Sequence, residues 1–594
     1  MAVLSTAFII AYFLILTYLY KMNPKINPPL ETILHHQFFS FIFIGIIIVI
    51  LLCSVVKIFL LSGGGKHIAK MVGAFPVDLT TSDLQIKKYI NVVEEMALAS
   101  GTPVPAIFMM ERESSINAFA AGYEIDDAVI AVSRGAIDQL TRAELQGVVA
   151  HEFSHILNGD MKLNIKLMGY LFGLSALVEI GNFMLRSNRG RHLAASKKGN
   201  GLAGIGFIFF TCGSLGMFFA QLIKAAISRQ REFLADASAV QFTRNPQGIG
   251  GALKKILTLE FGSEITLPRA SEIGHLFFGE AVSTFFSFLA THPPLIERIK
   301  AIDRQLLDGI EVDSKNGEDR AQVDGHPALF NFAPVVGKVG RITRESVSSA
   351  QQLLQTIPVN IHDLGQKKEG AQILCYALFL DSNSEVQKLQ QKYFEKTPQL
   401  WQEIVAIQIQ LSSLGERYRL PLVDLAMPTL KTMTPAEDAN FLKNCKSLVQ
   451  ADGKLSAREF ILYELLWQSL NAHHAFFDKQ FLPHELKQNC VTLLSFLLLL
   501  GKTQGSAEIY ENAIKGLYGK SLPIGQVTSK TLGEITQAFA RLRKAPISFK
   551  KKFLTACQQV IEGDKRITVQ EYEFLRLVSA TLLLPLPPLE ITGK

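Results

Sequence analysis

The chain has 594 residues, 48% of them hydrophobic and 19% charged, with 60 Lys and Arg against 53 Asp and Glu for a net charge of +7. This apolar content excludes a disordered chain. The near balance of charge, without a basic block, argues against nucleic acid as a partner, and the mild basic excess suits an anionic membrane surface.

Residues 2–20 carry no charge, and residues 38–61 carry only Lys57. At about 1.5 Å per residue, ~19–24 helical residues cover the ~30 Å hydrocarbon core. Both runs are expected to cross the bilayer, as a hairpin over 1–63. The first has no basic leader and no small-residue cleavage site, so it reads as an anchor and not a signal peptide. Residues 167–185 and 201–223 suggest a second hairpin, within about 163–225. Glu179 falls inside the earlier run, where a carboxyl is expected to face protein or water, not lipid. Lysines and arginines flank the spans on both sides, so charge assigns no orientation. Residues 491–501 are too short to span and read as a core helix, and 578–589 are broken by prolines. The six cysteines include no CxxC pair and read as reduced core or lipid-facing thiols.

Between the hairpins the pattern becomes mixed. Residues 83–100 read as a helix, ended by Pro103 and Pro105, and 105–110 and 128–133 read as strands. Thr141 and Glu144 form a capping-box pattern that opens a helix, and Gly159 is a terminator. That helix carries His151-Glu152-Phe153-Ser154-His155. Residues four apart share a helical face, so both imidazoles can reach one ion, about 2.0–2.1 Å from each nitrogen. Glu152 lies one residue round from His151, where it can take a proton from water. A catalytic zinc wants three protein ligands and an open position. Glu232 is the favoured third ligand. Asp236, four residues on, can hydrogen-bond the far nitrogen of a ligating histidine. Asp160, Glu179, His275 and His292 are rival ligands. His292 is also a candidate to stabilise the tetrahedral oxyanion, although Thr291-His292-Pro293-Pro294 equally reads as a helix start. Asn117, Ala118 and Phe119 are expected either to line the cleft as an edge strand that pairs with an extended peptide or to form a structural turn.

Four segments carry a resemblance: HEFSHILNGDMKLN (151–164), SRQREFLADASA (228–239), INAFAAG (116–122) and THPPLIERIKAI (291–302). In this order, with a membrane hairpin between the first two, they resemble the HtpX-like membrane zinc metallopeptidases, relatives of the CAAX prenyl proteases. The resemblance covers about residues 75–305. It implies a gluzincin-type zincin fold, one Zn2+ per chain on His151, His155 and Glu232, and Glu152 as general base. It implies a multi-pass protein of the cell membrane that cleaves membrane-associated or misfolded proteins in quality control, with its site facing the cytoplasm.

The remaining length falls outside that resemblance. Residues 306–345, rich in Gly, Asp and Pro, read as a linker. From 346 to 594 helical periodicity dominates and an all-α accessory domain is expected, for substrate recruitment, oligomerisation or covering of the active site. Residues 448–466 and 560–578 repeat a pattern of Asp, a basic residue and Glu before an apolar helix, which resembles TerB-like helical domains. Its spacing fails for a Ca2+ loop and suits an N-cap with a first-turn carboxylate. His473, His474 and His484 read as a solvated loop. The fold class expected is mainly α with a small β-sheet (α+β): a membrane zincin domain over 64–305, followed by the helical domain. A membrane scaffold with a structural zinc site is the alternative. An intramembrane protease of the site-2 type is disfavoured by the polar residues on both sides of the HExxH.

Overall fold

A computed structural model describes residues 2–22, 29–189, 200–259, 262–263, 277–279, 292–307, 342–453, 456–471, 481–501, 506–525, 531–562 and 568–586. His275, His473, His474 and most of the expected linker lie outside the described residues.

The sheet is small and has the order β1-β2-β4-β3, from β1 (Phe75–Pro76), β2 (Ala106–Met110), β3 (Ala118–Ala121) and β4 (Val129–Ser133). β2 and β4 run parallel, Ala106 opposite Val129, while β1 and β3 are antiparallel to their neighbours. Alternation sorts the side chains to two faces. Ile107, Ala120, Ile130 and Val132 join the core under the helices Leu84–Ser100 and Arg142–Asn158. Phe108, Phe119, Val129 and Ala131 join a second core with Ile68, Val72, Ile165 and Met168. Burial on both faces explains why these strands read as continuous apolar runs. Asp83 caps the Leu84–Ser100 helix by accepting from the Gln85 and Ile86 N–H groups. Gly101 closes that helix at φ 72°, and a Cβ there would lie 1.8 Å from the Leu586 carbonyl oxygen.

Four helices are long and apolar enough to cross a membrane: Val3–Lys21, Phe39–Leu61, Asp160–Arg186 and Gly204–Thr243. They pack through small residues. A Cβ on Gly181 would sit 2.5 Å from the Phe210 nitrogen, and one on Gly216 would sit 2.0 Å from Thr6 Oγ1. The third and fourth helices start earlier and end later than the apolar runs alone suggest, as Asp160–Arg189 and Asn200–Thr243. Glu179 is exposed on the third of these helices and is not packed against protein.

From Arg344 onward the described elements are helices. The two halves of the weak repeat both open on capping boxes, Ser456 with Glu459 and Thr568 with Glu571. Residues 487–501 form a mostly buried helix, in keeping with a core element. Cys53 is half-buried in the second membrane helix and the other five cysteines are buried, all as free thiols. Apolar side chains of the sheet, the Arg142–Asn158 helix and the C-terminal helices form one continuous core.

Polar contacts pin the same interface. Gln351 Nε2 donates to Glu95 Oε1 at 2.5 Å, and Arg576 donates to the Gly101 carbonyl through Nη1 while Nη2 holds Asp424 Oδ2 at 2.6 Å. His362 Nε2 meets the buried Glu94 Oε2 at 2.8 Å. Burial pulls the His362 pKa down, but the hydrogen bond and charge of Glu94 outweigh it and hold the pKa above the ordinary value. A raised folded-state pKa stabilises the fold below the unfolded value of about 6.5 and loses that contribution as pH rises through the folded value. The melting-temperature gap between wild type and His362→Gln should therefore be larger at acidic than at alkaline pH; a gap that stays constant would contradict the pairing.

Candidate active site

Thr141 and Glu144 start the histidine helix. The Thr141 N–H donates to Glu144 Oε2 at 2.8 Å, and the Glu144 N–H donates to Thr141 Oγ1 at 3.3 Å. The helix ends at Gly159, φ 71°, a left-handed cap that costs little without a Cβ. Within it, His151 and His155 turn their Nε2 atoms toward each other, 3.1 Å apart.

Glu232 arrives on the Asn200–Thr243 helix. This helix has 44 residues, about 66 Å at the usual rise. It continues unbroken from the fourth membrane run. No proline interrupts it between 201 and 243. Glu232 Oε2 lies 3.7 Å from His151 Nε2, and Glu232 Oε1 lies 3.6 Å from His155 Nε2. Donors about 2.0–2.1 Å from a tetrahedral ion stand about 3.3–3.4 Å apart. Separations of 3.1, 3.6 and 3.7 Å match that edge length. The donor set of two imidazoles and one carboxylate is also that of a catalytic zinc.

Carboxylates orient both imidazoles. His151 Nδ1 faces Asp236 Oδ1 at 2.9 Å, and His155 Nδ1 faces Asp160 Oδ2 at 2.9 Å. A proton held on each Nδ1 leaves the Nε2 lone pair for an ion. Burial pushes His151 down to about 4, so its ring is neutral at neutral pH. Asp236 is gripped in turn by the fully buried Arg298, whose Nε donates to Oδ2 at 2.8 Å and Nη2 to Oδ1 at 2.7 Å. Arg298 Nη1 donates to the Phe278 carbonyl at 2.7 Å, and its guanidinium stacks over the Phe278 ring. That ring packs edge-on against His151, with centroids 5.0 Å apart. Asp160 is paired by Arg231.

Glu152 is buried, and neither oxygen has a hydrogen-bond partner of ordinary geometry among the described residues. The Ala120 N–H of the edge strand faces it. Burial pushes this carboxyl up to about 8; a nearby dication would act in the opposite direction. His292 is also present, with Nδ1 3.1 Å from Glu232 Oε2. Its nearest acidic partner is thus a prospective ligand. Of the rival ligands, Asp160 serves His155 from outside, and Glu179 is remote on the membrane helix.

Asn117, Ala118 and Phe119 stand at the sheet edge, but the chain itself takes their outward pairing. Phe277 bridges Phe119 antiparallel, and the Phe278 N–H donates to the Ala118 carbonyl at 2.7 Å. The Asn117 amide holds Ser263 O at 2.7 Å and Gly279 O at 3.3 Å. The Asn117 side chain is thus engaged within the fold, and Ala120 and Ala121 continue the strand beyond Phe119.

Sequence reasoning missed Arg298 and Phe278. Arg298 did leave a signal. It occupies an apolar register position with Leu295, Ile299 and Ile302, where a charge must find a buried partner.

The two-histidine helix, the carboxylate from a second helix and the adjacent sheet edge define a membrane zincin-class peptidase. Comparison with known proteins agrees. The model of peptidase family M48 matches residues 83–306. "Protease HtpX homolog" of Thermoanaerobacter pseudethanolicus is 39% identical over 218 residues, 36% of this chain and 70% of the relative. The proteins of the same name from Dictyoglomus turgidum and Streptococcus uberis are 38% and 32% identical, over 36% and 37% of this chain and 67% and 73% of their own lengths. No solved structure matches the chain. The chain belongs to peptidase family M48, in its HtpX-like group.

If Arg298 acts by holding Asp236, then Arg298→Met and Asp236→Ala should each weaken divalent-ion affinity about 10–100-fold. The double variant should lose little more than either alone. Fully additive losses, measured by chelator competition, would contradict that coupling.

Proposed function

We propose that this protein is a zinc-dependent endopeptidase of the cell membrane, with one zinc ion held by His151, His155 and Glu232. The observation that carries the reading is the convergence of those three donors at tetrahedral edge distances. When bound, zinc polarises the scissile carbonyl and makes water a stronger acid. The chain's own groups do the rest. Glu152, buried beside the histidines, accepts a proton from the attacking water and delivers it to the departing amine. Asp236 and Asp160 fix the imidazole tautomers, and Arg298 fixes Asp236. His292, whose Nδ1 lies 3.1 Å from Glu232 Oε2, donates to the tetrahedral oxyanion through Nε2–H. The peptide adds along the sheet edge at Ala120 and Ala121, next to Glu152.

The substrates proposed are membrane-associated or misfolded proteins, cleaved in quality control on the cytoplasmic side. Support comes from the family and from the four membrane-type helices, two of which run directly into the site. A structural zinc site in a scaffold would be closed by a fourth ligand. Glu152, buried beside the histidines with only the Ala120 N–H facing it among the described residues, favours the catalytic reading.

Glu152→Gln should abolish casein cleavage and retain about one zinc per chain. A purified, folded variant that still cleaves would remove Glu152 from the base role. Glu232→Ala should lose zinc and activity together. His292→Ala should keep zinc and lower kcat by roughly 100-fold; loss of the ion would assign His292 to holding Glu232 alone.

A further inference from the structure

The start of the helix Ile547–Glu562 is distant in sequence from the peptidase but close to the roots of the membrane helices. Just before it, Arg543 Nη2 donates to Glu124 Oε2 at 2.7 Å and to Asp126 Oδ2 at 2.8 Å. Lys162 Nζ also reaches Glu124, at 3.5 Å. Lys162 is among the first residues of the third membrane helix, Asp160–Arg186. The neighbouring Tyr123 hydroxyl donates to the Ile58 carbonyl, 3.5 Å away, near the end of the second. The turn around Glu124 therefore marks the level at which both helices leave the bilayer. Arg543 touches that level.

Lys550 belongs to the same neighbourhood. Burial depresses its pKa to about 8, and the charges of Arg543 and Lys162 add to the depression against the opposing pull of Glu124. Ile547 lies three residues before Lys550 and four before Lys551, so the three share one helical face. Ile547 is 66% exposed, and Lys551 and Lys552 are exposed. The nearby carboxylates, Glu124 and Asp126, are already engaged by Arg543. An exposed apolar residue at a helix start, surrounded by lysines at membrane level, has the composition of an interfacial anchor.

We propose that this end of the helix rests on the phospholipid surface around the third membrane helix. Ile547 enters the boundary between headgroups and acyl chains, and Lys551 and Lys552 meet anionic headgroup phosphates. The C-terminal helical domain is then held to the bilayer by lipid charge as well as by protein contacts. The inference rests on residues 160–186 crossing the membrane.

Hydrogen exchange of the full-length protein tests it, in nanodiscs of phosphatidylcholine alone and with phosphatidylglycerol added. Amides at 543–552 should exchange more slowly with phosphatidylglycerol, by on the order of tenfold. High salt and the exposed-site variant Lys551→Glu/Lys552→Glu should each remove the difference, and the variant should cleave casein as wild type does. Equal exchange in the two lipids, or a lipid difference that survives in the variant, would overturn the proposal. Residues 163–185 report separately on the span. Rapid exchange there in both discs would refute the membrane crossing itself.

Discussion

The structure is organised around a buried cluster of carboxylates and imidazoles. Glu152, Asp160, Glu232 and Asp236 converge on two imidazoles, all with little or no exposure. Among the described residues, Arg298 and Arg231 face them as permanent cations. Burial opposes the charge on Glu232, but His292, His155 and Arg298 outweigh it and hold that carboxyl well below the usual range, whereas burial pushes Glu152 up to about 8. Charges removed from water are tolerated only when paired. A cation suits such a cluster, as it suits the spacing of the donors His151, His155 and Glu232.

That constraint explains the layout around it. The Asn200–Thr243 helix carries Glu232 and Asp236 on the same rigid rod as a membrane run. The histidine helix passes through Gly159 directly into the third membrane helix. The membrane helices and the ligands are therefore two parts of the same elements, and the lower face of the sheet packs on their roots through Ile165 and Met168. Arg298 closes the cluster from a helix far along the chain. Its contact with the Phe278 carbonyl ties the ion site to the segment that covers the first half of the sheet edge.

Local chemistry was legible in the sequence. The Thr141–Glu144 capping box, the stop at Gly159 and the histidine spacing need only a few neighbouring residues, and the helix Leu84–Ser100 and strands β2 and β4 follow from local apolar pattern. What needed tertiary contact was not legible. Arg298 and Asp236 are 62 positions apart, and no periodicity links them. β3 is Ala-Phe-Ala-Ala, a weak strand former stabilised by its neighbours. Its pairing with Phe277 has no sequence signal at all. The polar residues 160–166 hid the true start of the third long helix at Asp160.

X-ray absorption at the zinc edge, on the full-length protein loaded with zinc, addresses the ion site most directly. The spectrum should show nitrogen and oxygen scatterers at about 2.0–2.1 Å, including two imidazoles, and no sulfur. Sulfur at about 2.3 Å, or an unchanged spectrum when both His151 and His155 are replaced, would place the ion elsewhere and contradict the account.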